Sequence, residues 1–304
     1  MTRFAEPHDA PIPYMERTRS YYSALGYDAY EWAHFADVPF QPLPKPLSGC
    51  RVILITTAAL YQPDKGDQGP GAPYNAAAKF YTVYSGDTAI DHDLRISHVA
   101  IDRQHTTAED QGTYFPLPAL RDAAKDGRIG SIAQHFHGAP TNRSHRVTIE
   151  TDCPEIVARS KTDGADAAIL VPNCPVCHQT MSLAARALEE NGIATVIMGC
   201  AKDIVEYVGV PRLLFSDFPL GNSAGKPNDP ASQAFTLDLA LRVLENAPAA
   251  RTTVQSPLVW SSDPAWKLDY CNIARLAPEE VARRRADFDK AKRVAKSVQR
   301  EARD

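Results

Sequence analysis

From residue 153 onward, apolar β-branched runs alternate regularly with amphipathic stretches. Strand-like runs at 166–171, 194–198 and 212–216 are separated by helix-like segments at 154–161, 175–190 and 202–208, and a longer one follows at 230–245. Apolar runs without a polar alternate position suit strands covered on both faces. The helix stops are explicit in the chemistry: Asn191-Gly192 ends one segment, and Gly209 with Pro211 ends the next. Upstream, residues 51–57 form the first such strand, 117–127 a helix and 129–133 a short strand. Strands and helices alternating over short connections predict right-handed βαβ units. The fold class is therefore α/β, a mostly parallel sheet with helices on both faces, flavodoxin- or Rossmann-like in outline.

The chain divides into three parts on pattern. Residues 1–48, rich in proline and aromatics with a short helix near 13–25, read as an N-terminal arm. Residues 49–250 read as the α/β catalytic domain, with an irregular insert at about 61–128. Loops this long inside a domain are usually functional. Residues 251–304 read as a C-terminal extension ending in a charged helix at 283–300, whose interleaved acids and bases suit a solvated face.

Composition narrows the function classes. The 304 residues carry a formal net charge of -4, which argues against a nucleic-acid surface. No run of 18 apolar residues occurs, and the first residues lack a signal-peptide core, so a cytoplasmic protein without a membrane segment is expected. Six cysteines are too sparse for a disulfide scaffold. In a reducing compartment a close cysteine pair points to catalysis or metal.

In open α/β sheets the ligand sits outside the carboxyl ends of the strands. That rule selects the loops at 56–61, 173–177, 199–203 and 217–227, with Gln134, His135 and His137 as a further candidate. The turn Val-Pro-Asn-Cys-Pro-Val-Cys-His at 171–178 leaves a buried strand and enters a helix. Pro175 suits the first helical position. Cys174 then stands at the N-cap, where the helix dipole favours a thiolate. Cys177, three residues on, lies on the same face as a resolving thiol or second ligand, and His178 falls one turn from Cys174. The plain structural alternative is two small apolar residues packing a helix start. Cys200 is placed to look into the same mouth, whereas Cys50, Cys153 and Cys271 lie outside it.

Other residues extend the candidate site. Arg95 and Arg103 suit a substrate carboxylate through bidentate hydrogen bonds, and His98 or His135 suits proton transfer. Thr57, closing the first strand, and Asn222, in the small-residue loop at 217–227, complete the substrate-binding set. No GxGxxG or P-loop spacing is present, so no dinucleotide cofactor is expected. Zinc or another divalent metal stays open, with Cys174, Cys177, Cys200 and His135 as the candidate ligands. The expected partners are a small-molecule substrate and, as an open alternative, a second copy of the chain.

The segments Leu-Val-Pro-Asn-Cys-Pro-Val-Cys-His-Gln-Thr-Met at 170–181, 187–196 and Phe-Pro-Leu-Gly-Asn at 218–222 resemble the glycine/sarcosine/betaine reductase component B family, to which D-proline reductase belongs. Residues 46–57 and 93–98 also look like its shorter, cysteine-containing bacterial branch. The likeness spans about residues 38–247. It implies that Cys174 occupies the position of a nucleophilic selenocysteine, with Cys177 its neighbour. Cysteine-bearing members of the wider family look like desulfurising enzymes, so the first activity that the resemblance implies is desulfurisation of a thiocarbonyl, such as a thiohydantoin propionate derived from ergothioneine. The alternatives are a dithiol-dependent reductase of the family type, or a metal-binding redox sensor or assembly subunit.

Overall fold

Runs that are apolar on both faces become the central strands of one sheet. The computed structural model describes residues 4–69, 75–96, 98–141 and 143–301. Helix α1 (Tyr14–Ala24) belongs to the N-terminal arm, and β1 (Arg51–Thr56) opens the sheet. The irregular region carries β2 (Ala59–Leu60), β3 (Tyr84–Asp87) and β4 (Leu94–Arg95). Then come α2 (Leu117–Lys125), β5 (Ser131–Ile132) and β6 (His135–Gly138). The next helix starts as α3 (His145–Val147), passes through a π-helical turn (Thr148–Asp152) and continues as α4 (Cys153–Thr162). The regular half follows as β7 (Ala167–Val171), α5 (Pro175–Glu190), β8 (Ala194–Gly199), α6 (Lys202–Val208) and β9 (Arg212–Phe215). Helix α7 (Pro230–Asn246), β10 (Thr252–Gln255) and α8 (Pro278–Glu301) complete the chain.

The sheet order is β10-β9-β8-β7-β1-β6-β3, with β5 pairing the first half of β1. Every pair is parallel except β3 with β6, while β2 and β4 form a separate antiparallel ribbon. Successive side chains point to opposite faces, so each central strand feeds two cores. Val52, Leu54, Ile169, Val196 and Leu214 face α2 and α7, through Leu117, Leu120, Leu237 and Leu241. Ile53, Ile55, Leu170, Ile197 and Leu213 face α4 and α5, through Ile156, Met181 and Leu188.

Two sequence expectations need correction here. The short strand read at 129–133 is only Ser131–Ile132, and the longer partner of β1 is the strand His135–Gly138. Its two histidines and terminal glycine hid it from a propensity reading, yet a Cβ on Gly138 would run into the Tyr84 ring. The charged helix at the C-terminus is more than a solvated tail. Phe288 of α8 packs against Tyr22 and Tyr27 at ring distances of 5.6 and 5.0 Å, and the Tyr81 hydroxyl donates to the Ala295 carbonyl at 2.8 Å. Among the described residues no helix is long and apolar enough to cross a membrane.

Candidate active site

The chain runs from β1 out to β3 and β6 on one side, then crosses to β7 and builds β8, β9 and β10 on the other. Strand order therefore reverses at the β1–β7 junction, and the crevice there is where α/β sheets bind ligands. Thr57, just past β1, holds that junction. Its N–H donates to Val171 O at 3.3 Å, and its hydroxyl oxygen accepts from both the Asn173 backbone N–H and the Asn173 side-chain amide, each at 3.1 Å. Pro172-Asn173 is thereby fixed, and Cys174 follows as the N-cap of α5 with φ -122° and ψ 172°. Pro175 takes the first helical position, and Cys174 Sγ accepts the Cys177 N–H at 3.3 Å.

Both sulfurs are free thiols, and they lie 2.7 Å apart. Cys177 is fully buried, whereas Cys174 keeps 4% of its surface. The apolar wall around them is Ile101 with Ile96, Ala100, Ala108 and Val176. Thr141 Oγ1 approaches Cys177 Sγ at 3.5 Å and His98 Nε2 at 3.2 Å, and His98 itself hydrogen-bonds Cys177. Two sulfurs this close titrate as a unit sharing one proton. Burial pushes the Cys177 thiol up, but hydrogen bonds from Cys174, His98 and Thr141 outweigh it and hold it well below the ordinary thiol value. Burial, reinforced by the adjacent Cys177, holds Cys174 well above that value. The N-cap position alone predicts the opposite order. Cys174 has one backbone N–H and the Lys79 charge against nearly complete burial, while Cys177 has three side-chain donors.

The remaining expected site residues divide sharply. His98 stands at the sulfur pair. Arg103 stands beside it, donating to His98 O at 2.7 Å and Val99 O at 3.3 Å, and its charge reaches Cys174. Thr57 touches the turn that sets Cys174 rather than open space. Asn222 is fully buried and closes its own loop, accepting from Thr106 Oγ1 at 3.3 Å and donating to Pro219 O at 3.1 Å. Arg95 is held by Asp93 at 2.6 Å and lies over the Tyr61 ring, on the β2–β4 ribbon.

His135 lies at the other end of the sheet. As the first residue of β6 it pairs with Asp163 at 2.9 Å, beside Arg51 at the start of β1. The reading that placed it in the mouth took the beginning of a strand for its end. Cys200 packs in a different apolar cluster with Tyr14, Phe218 and Trp266, and burial pushes its thiol up to about 12. His178 is a satisfied core histidine: Nδ1 donates to Cys174 O at 2.8 Å, while Nε2 accepts from Cys200 N and Ala201 N at 2.9 and 3.1 Å. The proposed metal set is thus not assembled. Among the described residues no group of three or more His, Cys, Asp or Glu is placed to hold a metal ion.

Sequence reading missed Thr141, Arg143 and Lys79. Thr141 and Arg143 follow β6 directly, so the carboxyl-end rule would have found them had that strand been placed correctly. Lys79 lies in the irregular insert, where no periodic signal exists. Cys271, assigned outside the mouth, lines a neighbouring cleft of about 1030 Å³ together with Tyr22, Arg103, Tyr270 and Arg284.

No protein-family model matches the chain, and no solved structure matches it. It is similar to D-proline reductase subunit gamma of Acetoanaerobium sticklandii, 31% identical over 220 residues, covering 71% of this chain and 87% of that protein. It is also similar to glycine reductase complex component B subunit gamma of Peptoclostridium acidaminophilum, 23% identical over 186 residues, 59% of this chain and 41% of the relative. The same subunit of Carboxydothermus hydrogenoformans is 25% identical over 195 residues, 62% of this chain and 44% of the relative. The chain spans less than half the length of these two component B relatives.

Proposed function

Since this chain belongs to the family of D-proline reductase gamma and the glycine, sarcosine and betaine reductase component B subunits, we propose that it is the thiol-bearing subunit of a reductase. In this reading it cleaves a carbon–heteroatom bond in a small carboxylate-bearing substrate and works with further subunits, as the relatives' names imply for them. The observation that carries the reading is the sulfur pair itself, 2.7 Å apart at the strand-order reversal and within hydrogen-bonding reach of His98 and Thr141.

The pair supplies two electrons without a cofactor. Proton transfer from Cys174 to Cys177 leaves the thiolate on the sulfur that retains some exposure. Cys174 then attacks the substrate carbon, and the bond to the heteroatom breaks with its electron pair going to the leaving group, which takes a proton. Cys177, deprotonated again, attacks Cys174 Sγ. The carbon–sulfur bond breaks, the carbon takes a proton, and a Cys174–Cys177 disulfide remains. One C–X bond becomes C–H plus HX, one dithiol becomes a disulfide, and an external dithiol restores the pair. His98 moves the proton at Cys177, and Arg103 holds the carboxylate.

Relatives named as reductases favour this reading over sulfide release from a thiocarbonyl, which needs no resolving thiol. Thiol titration of the native, prereduced protein after turnover on the small amino-acid substrates in the relatives' names tests it. The expected result is two thiols lost per product, with turnover abolished in both Cys174→Ser and Cys177→Ser. Multiple turnovers of a thiocarbonyl substrate by Cys177→Ser, with sulfide released and no reductant present, would overturn the reductase in favour of desulfurisation.

A further inference from the structure

The sulfur pair is shut away from solvent, and the partition that shuts it away is one loop thick. Cys174 keeps 4% of its surface and Cys177 none, so neither sulfur meets a reactant while the chain stays as it is. Ala100 and Ile101 belong to the apolar wall over the two sulfurs. The same two residues, with Val99, Asp102 and Arg103, line the cleft of about 1030 Å³ on their other side. That cleft reaches solvent, since Val99 and Val294 on its lining are exposed. Its far wall is α8, through Phe288, Ala291 and Val294, and the packing of Phe288 on Tyr22 holds that wall in place. Residues 99–103 therefore separate an open cleft from a buried thiol pair.

The partition is lightly fastened. Arg103 donates to His98 O and Val99 O, which ties the loop to itself. Asp102 N–H donates to Leu220 O at 3.1 Å and fixes one end. Between these, the Tyr270 hydroxyl donates to Ala100 O at 3.0 Å and fastens the middle of the loop to a distant part of the chain. Tyr270 is a firm anchor, 4% exposed and edge-on to the Tyr14 ring at 5.1 Å. Both ends of the loop also carry a buried polar atom without a hydrogen-bond partner among the described residues, His98 Nδ1 and Asp102 Oδ2. Asp102 is 2% exposed and lies on the cleft lining. Buried polar groups are rarely left unpaired, and two of them flanking a partition suit a place that something polar enters.

We infer that the cleft is the binding chamber through which small polar reactants reach Cys174, and that residues 99–103 are its inner gate, latched by the Tyr270 hydroxyl. Opening the gate breaks the bond to Ala100 O and lifts Ile101 off the sulfurs; closing it again keeps water from the thiol pair. The inference rests on the proposed function only in taking Cys174 as the group to be reached. It holds equally for a pair that reduces its substrate and for one that releases sulfide.

The test follows alkylation of the Cys174/Cys177 peptide in the prereduced full chain, read by mass spectrometry with iodoacetamide and the bulkier iodoacetanilide. Both reagents are neutral and meet the same thiolate, so the ratio of their rates reports the room on the way in. The wild-type preference for iodoacetamide is expected to exceed that of N-acetylcysteine amide. Tyr270→Phe keeps the ring and removes the latch, and both rates should rise about two- to tenfold, the range one hydrogen bond supplies. Ala291→Trp fills the chamber from α8 and should slow both reagents, iodoacetanilide more, whereas Ala291→Ser should keep the wild-type rates. A wild-type ratio equal to that of the free thiol overturns the gate and needs no variant. Unchanged rates in Tyr270→Phe overturn the latch, and unchanged rates in Ala291→Trp overturn the cleft as the route. No turnover is involved, so a gated pair without reductase activity discards the function and keeps the route.

Discussion

Two of the buried polar clusters of the chain are built on opposite plans. Between α5, β8 and β9, Arg212 and Glu189 form an ion pair at 2.8 Å with side chains 2% and 0% exposed. Glu189 also accepts from Thr195 Oγ1 at 2.8 Å and from the Gln41 N–H. Arg212 also donates to Gln41 O at 2.8 Å and lies 4.2 Å from the Phe40 ring centroid. One positive and one negative group cancel, and the pair ties the N-terminal arm to the sheet. At the Cys174 mouth two thiols share one proton against an apolar wall, and His98 Nδ1 and Asn173 Oδ1 are left without hydrogen-bond partners among the described residues. Paired buried charge holds a structure together even with Arg212 Nε left over; a reactive buried pair beside unpartnered polar atoms marks a place that a ligand completes.

Removing one group from each cluster should break the comparison in different currencies. Cys174→Ser is expected to cut turnover by roughly 10³-fold or more with an unchanged denaturation midpoint, because a hydroxyl at that position is a poor nucleophile. Glu189→Gln should do the reverse. Leaving Arg212 buried and uncompensated is expected to cost about 3–5 kcal/mol of stability in urea unfolding. A Glu189→Gln protein as stable as the parent would show that the pair is not the structural tie described here.

The legible parts of the molecule were those whose signals are local. Pro175, Asn191-Gly192 and Gly209 mark the ends of α5 and the stop of α6 in the sequence, and the helices Pro175–Glu190 and Lys202–Val208 lie where the sequence puts them. Cys174 was legible for the same reason: an N-cap after a buried strand is a local pattern. The failures were non-local. The strand His135–Gly138 exists because Tyr84 needs a glycine opposite it and β1 offers an open edge. Misplacing it by a few residues moved His135 into the mouth and Thr141 and Arg143 out of it. Lys79, whose charge reaches the sulfurs, lies in irregular chain that no periodicity describes. The lowering of the Cys177 thiol likewise depends on Thr141 and His98, which lie 36 positions before Cys177 in the first case and further in the second.

Thr57→Val probes the junction between the two plans, because it removes one hydroxyl from the turn that presents Cys174. Asn173 then loses the acceptor for both its backbone N–H and its amide. An unsatisfied buried donor costs about 1–3 kcal/mol. Turnover should fall along with stability, since the Cys174 N-cap geometry depends on that turn. Thr57→Ser, which keeps the hydroxyl, should recover most of both.

The smallest expected effect is the pH dependence of stability that Lys79 confers. Its folded pKa of about 8 lies below the ordinary lysine value of 10.5, lowered by burial first and by Arg143 second. Below about pH 8 the group is protonated in both folded and unfolded chains. Between about 8 and 10.5 the unfolded chain binds more protons, so this residue makes stability rise with pH across that window. Lys79→Met should therefore lose that rise, read as the change in urea midpoint between about pH 8 and pH 10, and a Lys79→Met protein that keeps it would assign the titration to another group.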